Sequence, residues 1–160
     1  MGTVDNTFLD KKRAQELAAS EQVLLYIIEN ELGIPVSKDN SDIIPFHLII
    51  YNNAQLILAD RMGITEGIAL DIPIIEFYRE QSEKQVLLKG NALLAPDHII
   101  AHPDWDIDAS LVTHIAHLTT RINDFFTGYF SGLGTRLMSM KVEFTHEGEV
   151  LAITPYGSDN

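Results

Sequence analysis

The run IIPFHLIIY at 43–51 constrains the fold more than any other part of this chain. A strand with one wet face alternates apolar and polar residues, whereas this run is apolar or aromatic at nearly every position. A buried strand is therefore expected from Ile43 to Tyr51. Two amphipathic helices are available to back the sheet that holds it. From Asp10 onward, Leu17, Val23 with Leu24, Ile27 with Ile28, and Leu32 recur at three- and four-residue intervals until Gly33, Ile34 and Pro35 stop the pattern. The second helix is capped by Asp108 and carries Leu111, Val112, Ile115, Leu118, Ile122, Phe125, Phe126 and Tyr129 on one broad apolar face, ending at Gly132 and Gly134.

Shorter elements fill the intervals. VSKDNSD at 36–42 reads as a polar loop, Ala54 to Met62 as a short helix closed by Gly63, and Ile72 to Tyr78 as a strand that tolerates Pro73 near its start. Residues 79–92, REQSEKQVLLKGNA, suit a hairpin arm or a lid. Pro96 starts a short helix, DHIIA, which Pro103 ends. Arg136 to Phe144 and Glu149 to Thr154 alternate around the turn Thr145 to Gly148, the pattern of a hairpin. Together these predict an α+β fold, an antiparallel sheet backed by two long helices. Residues 1–9 are expected to form a flexible lead-in and residues 10–160 a single domain.

In the last hairpin, alternation sends Met138, Met140, Val142 and Phe144 to one face and Ser139, Lys141 and Glu143 to the other. The first face is core. The polar one is either a solvated ion pair or the floor of a cleft, where Lys141 neutralises an anionic ligand and Glu143 holds a divalent ion.

Charge and composition narrow the function. Twenty-three acidic against eleven basic residues give a net charge of −12, which repels nucleic acid and anionic lipid over most of the surface. Cysteine is absent, so disulfides, thiolate metal sites and cysteine nucleophiles are excluded. The N-terminus lacks the basic-then-apolar order of a signal peptide, and no apolar run approaches the ~18 residues of a membrane span. A soluble, cytoplasmic protein is expected. His114 with His117 and His98 with His102 have spacings that can present two imidazoles to a metal, but no carboxylate completes either set, and they read as helix-border residues. Phe125, Phe126, Tyr129 and Phe130 read as core rather than as a ligand pocket. Trp105 is expected to staple its loop to the helix that follows.

Taken in order, GIP at 33–35, IIPFHLIIYNN at 43–53, RMGITEG at 61–67, DIPIIEFYRE at 71–80, APDHIIA at 95–101, LVTHIAHLTTRINDFF at 111–126, MKVEF at 140–144 and GEV at 148–150 resemble SAICAR synthetase, the ATP-dependent ligase of purine synthesis. The resemblance is to the C-terminal part of that family and implies a domain lacking the family's N-terminal ATP-binding lobe. It implies ATP and Mg2+ as cofactors. Lys141 and Glu143 match the family's Lys-x-Glu-Phe motif, with Glu143 as a metal ligand. Where the family carries Arg-Asn followed by Ala-Gly-Ser, implied to grip a ribose phosphate, this sequence has Tyr51, Asn52, Leu56 and Ile57. The family's acidic metal-binding pair falls among Ile153, Thr154 and Pro155. The expectation is a divergent relative without autonomous ligase activity, binding a small anionic ligand through Lys141, Glu143, Asn52 and Tyr51. It would assemble as a homo-oligomer or with a partner chain. The alternatives are a ligase completed by a separate ATP lobe, or a different reaction in the inherited cleft.

Overall fold

The computed structural model describes residues 21–39, 42–80 and 91–159. In chain order these form α1 (Glu21–Asn30), β1 (His47–Asn53), α2 (Leu56–Met62), β2 (Ala69–Glu80), β3 (Asn91–Leu94), α3 (Pro96–Ile100), α4 (Ala109–Ser131), β4 (Thr135–Phe144) and β5 (Val150–Asp159). The strands make one antiparallel sheet in the order β3-β2-β1-β4-β5. This is the α+β architecture expected from the sequence. No helix among the described residues is long and apolar enough to cross a membrane.

The apolar run at 43–51 is explained by the place of β1, which lies at the centre of the sheet between β2 and β4. Leu48 and Ile50 face α4 and are 0% and 1% exposed, while His47 and Tyr51 are buried on the opposite face. The regular strand starts at His47 rather than Ile43, because Pro45 has no N–H to give to a ladder. Ile43 still forms an isolated bridge to Thr145.

Helix α4 begins where Asp108 accepts a hydrogen bond from the Leu111 N–H at 2.9 Å. Its buried stripe of Val112, Ile115, Leu118, Ile122, Phe126 and Phe130 packs on β4 and β1. Phe126 meets Phe125 and Tyr129 edge-to-face, so the aromatic cluster is core packing. In the described part of the N-terminal helix, Leu24, Ile27 and Ile28 are buried, and α1 packs on β5. Val23 departs from the sequence reading: it stands one residue before Leu24, about 100° around the helix, and is 53% exposed. The lead-in at 1–9 and the start of that helix lie outside the described residues.

The final hairpin is longer than expected and its register is not a plain alternation. A bulge between Leu137 and Ser139 lets Leu137 join Met140, Val142 and Phe144 in the core row and leaves Met138 out of it. The Thr145 hydroxyl accepts hydrogen bonds from the N–H groups of Glu147 and Glu149, and Gly148 takes φ +80°, where a side chain would be strained. Strand β5 continues through Pro155 because it is an edge strand, where a missing donor costs nothing. That edge is also blocked against pairing with another chain: the Glu21 carboxylate accepts from the Ile153 N–H at 2.9 Å, and residues 35–37 bridge Val150.

On the other side of the sheet, β2 extends beyond the expected 72–78. The short edge strand β3 pairs antiparallel with the end of β2, in keeping with a hairpin arm at 79–92, and residues 81–90 lie outside the described residues.

Candidate functional site

The face of the sheet turned away from α4 carries the polar residues of the central strands. Register fixes which of them are neighbours. Ile49 of β1 pairs with Glu76 of β2 and Lys141 of β4, Tyr51 pairs with Ser139, His47 with Tyr78, and Lys141 with Thr154 of β5. Alternation therefore assembles His47, Tyr51, Glu76, Tyr78, Ser139, Lys141, Glu143 and Thr154 on one surface.

One half of this surface is a closed hydrogen-bond chain. Arg61, from α2, donates through both terminal nitrogens to the Glu76 carboxylate, at 2.8 Å for Nη2, and the Tyr78 hydroxyl donates to the same carboxylate. Tyr78 has a single hydroxyl hydrogen, so its 3.0 Å contact with Tyr51 is a bond in which Tyr51 donates. Burial alone would raise the Glu76 pKa, but the bonds from Arg61 and Tyr78 hold it below the ordinary carboxylate value. Burial pushes the Tyr51 and Tyr78 phenols upward, so both stay neutral. Tyr51 is 8% exposed and its hydrogen is committed within the chain, so it has no donor left for a phosphate. Arg61, bidentate on Glu76, is likewise spent.

The other half is different. Lys141 and Glu143 are half-buried on this face, and among the described residues neither forms an ion pair or a side-chain hydrogen bond, not even with the other. Beside them His47 is 5% exposed, stacked on Tyr78 with ring centroids 5.9 Å apart. Its Nε2 is the one buried side-chain atom without a hydrogen-bond partner among the described residues. Burial, and then the positive charge of Lys141, lower its pKa from 6.5 to about 4. Lys141, without a counter-ion among the described residues, thus stands next to a buried imidazole whose Nε2 has no partner among them.

Asn52 lies away from this surface. Its amide donates to Asn123 Oδ1 of α4 at 2.9 Å and to the Leu137 carbonyl at 3.1 Å, and Asn123 donates back at 2.9 Å. It ties the sheet to the helix where the resemblance implied a ligand contact. Leu56 and Ile57 of α2 are 62% and 74% exposed and offer no polar group. At the positions of the acidic pair, Ile153 and Pro155 are buried and Thr154 is half-buried and uncharged. Among the described residues no three His, Asp or Glu side chains converge on a point that could hold a metal. The donor set at Glu143 does not fit a resident metal ion, since one carboxylate holds magnesium only together with oxygens supplied by a ligand.

The remaining candidates are structural. His98 Nδ1 accepts from the Ala95 N–H and caps α3, while His102 Nδ1 accepts from the Asp104 N–H and its ring stacks on Trp105 at 3.9 Å. Trp105 also stacks on Phe46, which holds its loop against the core. His114 and His117 are exposed on α4 and line a shallow surface depression.

A family model described as SAICAR synthetase matches residues 11–154. The chain belongs to the SAICAR synthetase family. The phosphoribosylaminoimidazole-succinocarboxamide synthase of Parvibaculum lavamentivorans is 34% identical over 137 residues, which cover 78% of this chain and 51% of that protein. The synthase of Phenylobacterium zucineum is 38% identical over 103 residues, covering 64% of this chain and 38% of its own. The chain thus spans about half, or less, of the length of these curated relatives. Among solved structures, the Ehrlichia chaffeensis synthase superposes with a TM-score of 0.65 at 23% identity, over 81% of this chain and 58% of that one. A type-2 SAICAR synthetase solved in complex with ADP gives 0.71 at 20% identity, over 89% and 65%. At such identities these structures show the shared fold.

The sequence reading missed His47, Arg61, Glu76 and Tyr78. His47 carried a usable signal, since it stands at two-residue spacing from Ile49 and Tyr51 in an otherwise apolar strand. Arg61 and Glu76 are joined only by tertiary structure, and nothing local marks them as partners.

Proposed function

We propose that this SAICAR synthetase-family chain binds a small anionic ligand, a nucleotide, ribotide or dicarboxylate, on the helix-remote face of its sheet. Lys141 is the principal anchor and Glu143 lies beside it. The observation that carries this reading is Lys141 itself: half-buried, without a counter-ion among the described residues, and next to the buried imidazole of His47. An unpaired ammonium in a partly desolvated site attracts an oxyanion more strongly than a surface lysine does.

The chain by itself is proposed not to perform ligation. Phosphoryl transfer and acyl activation rely on positioned cations that neutralise developing charge. Tyr51 has its hydrogen committed to Tyr78, Arg61 is bound to Glu76, and Ile153, Thr154 and Pro155 provide no carboxylate. The identity of 34% to synthases supports a second reading, a ligase whose remaining parts come from a longer polypeptide or a partner chain.

Supplying the purified chain with ATP, aspartate and the carboxyaminoimidazole ribotide tests the choice. No ADP should form beyond the protein-free control. ADP production that requires both aspartate and ribotide, and that Glu143→Gln abolishes, overturns the proposal in favour of the ligase. Denaturing mass spectrometry of the purified chain identifies any ligand retained on the site.

A further inference from the structure

We propose that His47 is the second basic group of the Lys141 anion site, and that an oxyanion seated on Lys141 is held with uptake of one proton onto His47. This rests on the reading of the helix-remote face as a binding surface and adds to it the ligand's chemical class and a role for a residue outside the Lys-x-Glu-Phe motif. The class is a compact oxyanion carrying two negative charges, a phosphoryl group or a dicarboxylate, because two adjacent cations reward the second charge.

The argument starts from an uncompensated group. Buried imidazole nitrogens are ordinarily hydrogen-bonded, and one left without a partner costs stability. In His47 the ring is held against the sheet by its stack on Tyr78, and Nε2 has no hydrogen-bond partner among the described residues. The surroundings decide its charge. From β4 it is faced by Lys141 and by Glu143, which lies across from it in the register that pairs Leu48 with Val142. From β2 it is faced by Tyr78, whose hydrogen goes to Glu76, and by Glu76, whose charge is tied to Arg61. Tyr51 on its own strand is neutral. Burial and then the Lys141 cation therefore oppose protonation.

An oxyanion on the Lys141 ammonium neutralises that cation and supplies an acceptor. Protonation of the ring by solvent then gives an imidazolium next to an anion in a partly desolvated site, where the attraction is stronger than in water. No bond changes other than the N–H formed at His47. Binding and proton uptake are linked, so affinity must rise as the pH falls toward the free-state value of the ring.

Sulfate is the probe, because it stays a dianion throughout the range used. Calorimetric titration of the full chain should show its dissociation constant falling about tenfold between pH 7.5 and 5, and His47→Gln should give a flat profile. In the wild type, the imidazole resonance missing from His47→Gln should titrate near 4 without sulfate and at about 6 at saturation. That second measurement needs no folded variant at pH 5. Sulfate binding that Lys141→Ala weakens, but whose affinity and ring titration ignore pH and ligand, overturns the role of His47 and leaves the binding surface standing. Absence of sulfate binding to the wild type, with Lys141→Ala indistinguishable, overturns both.

Discussion

Replacing Asn123 with leucine removes one side of the reciprocal amide pair that joins α4 to β1. Asn123 is 1% exposed and exchanges two 2.9 Å hydrogen bonds with Asn52. Each such bond contributes about 1 kcal/mol net, and a partner left unsatisfied in a buried setting costs about 1–3 kcal/mol more. Asn52 keeps its bond to the Leu137 carbonyl, which places the expected loss at about 3 kcal/mol. For a chain of this length that corresponds to a fall in Tm of roughly 6–12 °C. Urea unfolding followed by circular dichroism should show the midpoint falling with the slope unchanged. Leucine at both positions should recover part of the loss, giving a coupling energy of about 1 kcal/mol or more between the two sites. A loss below about 0.5 kcal/mol in Asn123→Leu, combined with an Asn52→Leu variant that folds normally but loses ligand, would refute the reasoning and return Asn52 to the binding surface.

Acid should destabilise the fold through His47. Its folded pKa lies below the unfolded value, so the stabilisation is complete above pH 6.5 and is lost as pH falls toward about 4, up to about 3 kcal/mol at 1.36 kcal/mol per pKa unit. The difference in unfolding free energy between wild type and His47→Gln, measured from pH 7.5 to 4, should follow that course, and a constant difference contradicts it. Self-association is expected through an exposed apolar face rather than along β5, because that edge is blocked while Leu56, Ile57 and Ile72 are 62%, 74% and 77% exposed. Light scattering at tens of micromolar should give a mass above that of one chain, and a monomer mass ends that expectation.

The elements with a strong local period were legible. The α4 stripe, its Asp108 cap, the terminal hairpin and the buried central strand all follow from spacing and side-chain type. Lys141 and Glu143 could be placed on one face for the same reason. What failed was set by contacts rather than by period. The bulge that exchanges Met138 for Leu137 depends on pairing with β5. Asn52 is next to Tyr51 in sequence but on the other face of the sheet, where only the position of α4 reveals its partner. The Tyr51, Tyr78, Glu76 and Arg61 chain spans two strands and a helix, and no spacing rule connects them.

The central claim is that an anion is held at Lys141, and calorimetric titration of wild type and Lys141→Ala against ribotides, nucleotides and dicarboxylates tests it directly. The account predicts at least one binder whose affinity falls by about 1–3 kcal/mol in the variant, the scale of a charge-assisted contact, with the unfolding midpoint nearly unchanged. Equal affinities of the two proteins for every binder would contradict it and leave Lys141 as surface charge.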